Sequence, residues 1–205
     1  MGSFDDRIRH MEIKILANKS ILLKGKKESV LINPSDKIRE QNTYQSRIFL
    51  FTSEKYDGMG LVSDKVLIRA PGEYEVGGIE INGYNGGEDN TIYVLYIDKI
   101  KVVILGDLKE ELSDKRIEKI DSADVLLAPL VSNDDKKLSP KMILEWAKKW
   151  GVNYLIPVVD EENPELLTKF LDQADQEGLE HFDSLKVDDN DLPDGLELKV
   201  LKVTK

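Results

Sequence analysis

The sequence predicts a mixed α/β (α+β) chain, and two observations carry the prediction. Short apolar or alternating runs separated by turn residues fill the first half, which is the pattern of strands. Apolar residues at helical spacing enter only after Ser113, where they alternate with further strand-like runs.

In chain order, the runs Glu12 to Leu16, Ile21 to Lys24 and Ser29 to Ile32 are separated by Asn18-Lys19 and Gly25-Lys26, turn signals that predict an antiparallel meander. Similar runs at Arg47 to Phe51, Val66 to Arg69, Gly78 to Asn82, Thr91 to Ile97 and Lys101 to Leu105 predict further strands. Ser113 is placed to cap a short helix with its hydroxyl. Ser139-Pro140 pairs a cap with a first-turn proline, and Met142, Ile143, Trp146 and Trp150 then form an apolar stripe. The runs Asp124 to Ala128 and Asn153 to Pro157 flank that helix, a β-α-β unit. A further helix follows Asn163-Pro164, with Leu166, Leu167, Phe170, Leu171 and Ala174 on one face. Val187 to Gly195 reads as a loop before a last strand, Leu196 to Val203.

With 205 residues and 40% hydrophobic content, the chain can bury a substantial core as one larger domain. Residues 1–10 are polar and end in His10-Met11, the dipeptide that a common cloning site encodes. They read as a leader left by cloning, with 11–205 as a single domain. A net charge of −10 repels polyphosphate and anionic membrane surfaces, so neither nucleic acid nor membrane is an expected partner. The chain has no cysteine, hence no thiolate ligand and no disulfide, which fits a cytoplasmic setting. No apolar stretch approaches the roughly 20 residues of a spanning helix. Outside the leader the chain holds a single histidine, His181, and a catalytic metal site built on imidazoles cannot be assembled from one.

A set of short motifs occurs in a telling order: Met11-Glu12-Ile13-Lys14-Ile15-Leu16, Leu31-Ile32-Asn33-Pro34, Pro71-Gly72-Glu73-Tyr74-Glu75-Val76, Asn90-Thr91-Ile92-Tyr93, Leu105-Gly106-Asp107-Leu108, Asp124-Val125-Leu126-Leu127-Ala128-Pro129 and Ile156-Pro157. The ordered set resembles the L-ascorbate-6-phosphate-lactonase-like branch of the metallo-β-lactamase fold over most of Met11 to Val159. The resemblance implies an αββα sandwich with a metal site at one edge, built from loops at strand ends. In that family a strand like Arg47 to Phe51 ends in His-x-His-x-Asp-His, which here becomes Ser53-x-Lys55-x-Asp57-Gly58. The resemblance would place imidazoles at Ser53, Lys55 and Gly58, another within Tyr84-Asn85-Gly86-Gly87-Glu88, and a last one at Val159. None is present. The matching acids are Asp57 and Asp107, the latter at the family's metal-bridging position. The family's aspartate in the Leu-Ile-Asp-Pro corner is Asn33, and its early Gly-His pair is Ala17-Asn18.

Oxygen ligands alone do not suit zinc, and a lysine ammonium has no lone pair for a metal. Asp107 in a Gly-Asp turn, and Asp57 in its own loop, can equally cap backbone amides. Two carboxylates brought together without a metal need a proton or a cation, and Lys55 is the candidate; a solvated loop lysine is the alternative. A Ser53–Lys55 nucleophile pair needs a neutral lysine, which neighbouring acids oppose. A Mg²⁺ or Mn²⁺ site from Asp57, Asp107 and Glu88, Asp89 or Asp160 suits hard oxygen ligands. His181 reads as partly buried and structural, and Trp146 with Trp150 as helix packing. The expected function is a non-catalytic, cofactor-free and metal-free protein of this fold, its remnant site (Ser53, Lys55, Asp57, Gly58, Asp107, Val159) decayed or reused for binding or homo-oligomeric assembly. The alternative is a hydrolase using an oxygen-ligated metal or a metal-free mechanism.

Overall fold

The computed structural model describes residues 10–35, 45–56, 65–130, 138–159, 162–176 and 178–204. Residues 1–9, most of the segment expected to be a leader, together with Asp57, Gly58 and Asp160, lie outside the described residues. The chain opens with β1 (Met11–Leu16), β2 (Ile21–Lys24) and β3 (Ser29–Ile32), paired antiparallel as the turn dipeptides predict. β4 (Ile48–Leu50) and β5 (Val66–Ile68) extend the same sheet in parallel. Alternation decides the faces: Met11, Ile13 and Ile15 are fully buried, whereas Glu12 and Lys14 between them are half-buried.

The second sheet begins with β6 (Gly72–Val76), β7 (Ile79–Asn85), β8 (Thr91–Ile97) and β9 (Ile100–Ile104), an antiparallel series. β6 is an addition to the strands expected from sequence, and β7 runs three residues beyond Asn82. Helix α1 (Asp114–Ile120) leads to β10 (Val125–Pro129), and α2 (Pro140–Lys149) connects it to the parallel strand β11 (Tyr154–Val158). This is the expected β-α-β unit. β9 and β10 are buried at every position, as strands covered on both faces must be.

The caps differ between helices. Ser139 accepts from the Met142 N–H at 3.3 Å, but the Ser113 side chain makes no capping bond, and its backbone carbonyl serves α1 instead. In α3 (Glu165–Gln173), Phe170 is fully buried while Leu166, Leu167 and Leu171 are half-buried. Trp146 and Trp150 are buried with ring centroids 6.0 Å apart, and Trp150 Nε1 donates to the Ile117 carbonyl, so the pair is helix packing as read.

The C-terminal region corrects the sequence reading most. β12 (His181–Phe182) and β13 (Leu185–Val187) precede the loop, and β13 pairs with β1. The expected last strand is three short ones: β14 (Glu197–Leu198), β15 (Val200–Leu201) and β16 (Val203–Thr204). They pair in turn with β11, β12 and β1, so the segment crosses from the second sheet to the first. His181 is exposed, not partly buried.

The sheet orders are β13-β1-β2-β3-β4-β5, with β16 also on β1, and β14-β11-β10-β9-β8-β7-β6. One apolar cluster joins the inner faces, from Ile13, Leu23 and Leu50 to Ile81, Leu95 and Val102. A second joins the outer face of the second sheet to the helices through Val103, Leu126, Ile143 and Phe170. The architecture is therefore a mixed α/β sandwich of two large sheets with few helices. No described helix is long and apolar enough to cross a membrane.

Candidate functional site

The strand ends β3, β4 and β9, together with the β7–β8 turn, meet at one edge of the sandwich. Asn33 leaves β3 with a left-handed φ of 48°, a conformation asparagine tolerates better than most residues. Its side chain is buried and uses both ends of the amide: Nδ2 donates to Thr52 Oγ1 and Oδ1 accepts from the Thr52 N–H, each at 2.8 Å. Ser20 Oγ donates to the Asn33 carbonyl at 2.7 Å. An amide at 33 thus ties β3 to β4 without a metal, whereas a carboxylate would have no hydrogen to donate.

Beyond Thr52 the chain makes a short 3₁₀ turn, Glu54–Tyr56. Ser53 is buried, and its hydroxyl donates to Asp89 Oδ2 at 2.6 Å while the Glu54 N–H donates to Asp89 Oδ1 at 2.8 Å. The Ser53 hydroxyl, and next the Glu54 amide, hold the Asp89 carboxyl below the usual aspartate range. Asp89 sits in the β7–β8 turn at φ 45° and clamps the loop that the resemblance makes the first ligand loop. Its neighbour Asn90, buried, accepts from the Asp107 N–H at 2.9 Å and donates to the Leu105 carbonyl at 3.0 Å. Gly106 lies between at φ 69°; a Cβ there would stand 2.5 Å from Asn90 Oδ1 and 2.7 Å from Thr52 Cβ. The Gly-Asp turn is therefore required by packing as well as by backbone angle.

Asp107 points into this edge with its side chain 11% exposed. Lys55 Nζ lies 2.8 Å from Asp107 Oδ2, and its ammonium also lies 4.7 Å from the Tyr56 ring centroid. The contact is an ion pair rather than an aligned hydrogen bond, so Oδ2 faces a cation with no donor on its lone pairs. The cavity beside Asp107, bordered by Lys19, Asn33, Tyr56, Gly106 and Val158, is about 10 Å³, room for roughly one water.

The structure thus brings together Asn33, Ser53, Lys55, Asp89 and Asp107 of the residues singled out from sequence, and adds Lys19, Thr52 and Asn90 to them. Val159 packs against the helix-layer cluster, and its neighbour Val158 borders the cavity. Glu88 and Asn18 are exposed. A Ser53–Lys55 nucleophile pair is not formed: the Ser53 proton goes to Asp89, and the Lys55 ammonium goes to Asp107. Among the described residues, no three His, Cys, Asp or Glu side chains converge as a metal-binding group. The donor set among the described residues does not fit a zinc ion: an ammonium stands against the Asp107 carboxylate, and Asp89 is already filled by two donors.

A family model described as a beta-lactamase superfamily domain matches residues 12–159. Among solved structures, a proposed zinc-dependent hydrolase of the metallo-β-lactamase superfamily from Thermotoga maritima is 21% identical, with a TM-score of 0.75 over 95% of this chain and 100% of that one. The metallo-β-lactamase fold protein YhfI from Bacillus subtilis is 10% identical, with a TM-score of 0.60 over 93% and 96%. A proposed metal-dependent hydrolase from Parabacteroides distasonis is 12% identical, with a TM-score of 0.60 over 94% of each chain. No curated protein matches the chain significantly.

Proposed function

Since the chain belongs to the beta-lactamase superfamily, we propose that it is a non-catalytic member, its metal site closed by its own side chains and its role that of a protein-binding or assembly module in the cytoplasm. The observation that carries the reading is the Lys55 ammonium 2.8 Å from Asp107, at the position where the resemblance places a metal-bridging carboxylate. A lysine there supplies one fixed positive charge and no ligand. The charge faces a mostly buried carboxylate but polarises no substrate water as a metal would. Closure by Asn33–Thr52 and Ser53–Asp89 leaves a cavity too small for a substrate group, which supports the same conclusion. Against the competing reading of an oxygen-ligated Mg²⁺ or Mn²⁺ hydrolase stands the state of its acids: Asp89 is taken by Ser53 and Glu54, and Glu88 faces solvent.

Metal analysis tests the proposal directly. Protein purified without added metal or chelator should carry no stoichiometric zinc, manganese or iron, and calorimetric titration with Zn²⁺ or Mn²⁺ should show no site tighter than weak surface binding. About one metal per chain, lost on Asp107→Asn, would overturn it.

A further inference from the structure

The helix layer covers the second sheet unevenly. Its apolar cluster takes residues from β8, β9, β10 and β11 and reaches β7 only at Tyr84. At the far edge, β6 and the start of β7 turn Glu73, Glu75 and Glu80 to solvent. The register sets four side chains in one row on this face: Glu75 opposite Glu80, Glu80 opposite Tyr96, and Tyr96 opposite Lys101.

Like charges directly opposite on an antiparallel pair are unfavourable, and among the described residues no cation pairs with Glu73, Glu75 or Glu80. Lys101 ends the row but is already committed. Its Nζ donates to the Ile120 carbonyl at 2.9 Å and Ser122 Oγ at 3.1 Å and pairs with Asp121. From that anchored position Nζ lies 5.3 Å from the Tyr96 ring centroid, which holds the ring from one side; Tyr96 remains 37% exposed.

Glu80 and Tyr96 also border a cavity of about 300 Å³ at the hairpin end, large enough for a long side chain. Of the other charged groups on its rim, Glu28 is engaged by Arg47 at 3.6 Å, Asp98 by the Lys26 N–H at 2.7 Å and Lys99 by Asp189 at 3.0 Å, and Lys27 also borders the cavity. Glu80 is the carboxylate left over.

We propose that this sheet face docks a basic segment of a partner protein, with an arginine or lysine side chain entering between Glu75 and Glu80 and lying on the Tyr96 ring. A cation there relieves the Glu75–Glu80 repulsion and gains the aromatic face, two contributions that a neutral segment lacks. Nucleic acid is repelled by the same carboxylates. A second copy of this chain brings a net charge of −10 to a face that is itself acidic. The proposal rests on the binding role inferred above only for its biological purpose, because its chemistry involves neither Asp107 nor a metal.

The test is fluorescence anisotropy with a labelled peptide of roughly a dozen residues alternating arginine and serine, a length that spans one sheet face. Glu75→Gln/Glu80→Gln should weaken binding about tenfold or more at fixed ionic strength, and Tyr96→Ala about fivefold. Glu118→Gln/Glu165→Gln, the same charge change on exposed faces of α1 and α3, should leave affinity within about twofold. Equal weakening by the two pairs would reduce the effect to net charge and overturn the proposal. Self-association of the protein alone, abolished by Glu75→Gln/Glu80→Gln, would also overturn it by making the occupant a second copy. None of these readouts changes with metal content, so failure here and failure of the metal-free reading are separable.

Discussion

Replacing Lys55 by methionine keeps the length and apolar stem of the side chain and removes its charge, so it isolates the ion pair at the closed site. At 2.8 Å the Lys55–Asp107 attraction is about 6 kcal/mol for an effective dielectric of 20 and about 1.5 kcal/mol in water. The lysine side chain is 51% exposed, which puts the pair nearer the aqueous limit, and immobilising a long side chain offsets part of the gain. Asp107, at 11% exposure, raises the cost of removing the cation, because its carboxylate then lacks a counter-charge. Together these give an expected loss of about 1–2 kcal/mol for Lys55→Met, equivalent to a fall in melting temperature of about 2–8 °C for a chain of this size.

The clean measurement is a double-mutant cycle with Asp107→Asn, followed by urea unfolding. Trp146 and Trp150, both buried, supply the fluorescence signal. Asp107→Asn removes the charge that needs Lys55, so the double variant should recover part of the loss, with a coupling energy of about 1 kcal/mol. Lys141→Met, at a side chain 81% exposed with a 3.9 Å partner, should change stability by less than about 0.5 kcal/mol. A Lys55–Asp107 coupling below about 0.3 kcal/mol, the level at which independent sites simply add, would refute the view that the ammonium holds the old site together.

Two further predictions follow from the wiring around that pair. Gly106→Ala forces a left-handed residue with a Cβ 2.5 Å from Asn90 Oδ1 and should cost about 2–4 kcal/mol in urea unfolding, from backbone strain and overpacking together; a loss under about 1 kcal/mol would show that the Asn90 bridge can move aside. Asp89 has a folded pKa below its ordinary value, so its contribution is present above the ordinary aspartate pKa and is lost as pH falls through the folded value. The stability gap between wild type and Asp89→Asn should therefore be open at pH 7 and narrow below about pH 4, and a gap independent of pH would remove the Ser53–Asp89 clamp from the account.

What the sequence discloses about this molecule depends on the range of the interaction. The β1–β2–β3 meander is legible because alternation and the Gly25-Lys26 turn are local, and α2 because its cap, proline and stripe lie within a dozen residues. β6 carried a usable signal, Tyr74 and Val76 alternating with Glu73 and Glu75 before the Gly77-Gly78 turn, but two glutamates and a glycine are poor strand formers. At the C-terminus the strand character of Leu196 to Val203 was legible but its division into three was not, since each short strand is defined by a different partner sheet and not by its own two residues. At the site, a need for a cation near Asp107 can be reasoned from charge alone, and Lys55 is in contact with it. The Ser53–Asp89 bond joins residues 36 apart, and no local pattern announces it.

The distribution of these bonds bears on whether the site is one step from chemistry or many. A metal that joins loops contributes folding free energy, so a metal-free member of the superfamily, as proposed above, must hold the same loops by other means. Here the means are spread over three strand ends: the Asn33 amide across β3 and β4, Asp89 on the Ser53 loop, and Asn90 on the Gly106-Asp107 turn. Each is a neutral or singly charged group whose bonds are filled internally, and each would have to be broken before a ligand could stand in its place. Imidazoles at 53, 55 and 58 would remove the Ser53 clamp and the Lys55 charge, yet leave Asn33 unable to serve as a carboxylate and Val159 packed into the helix layer. On the metal-free reading proposed above, closure of the site is therefore distributed over the packing of the edge and not confined to one loop, and the proposed binding role falls to a surface elsewhere on the sandwich.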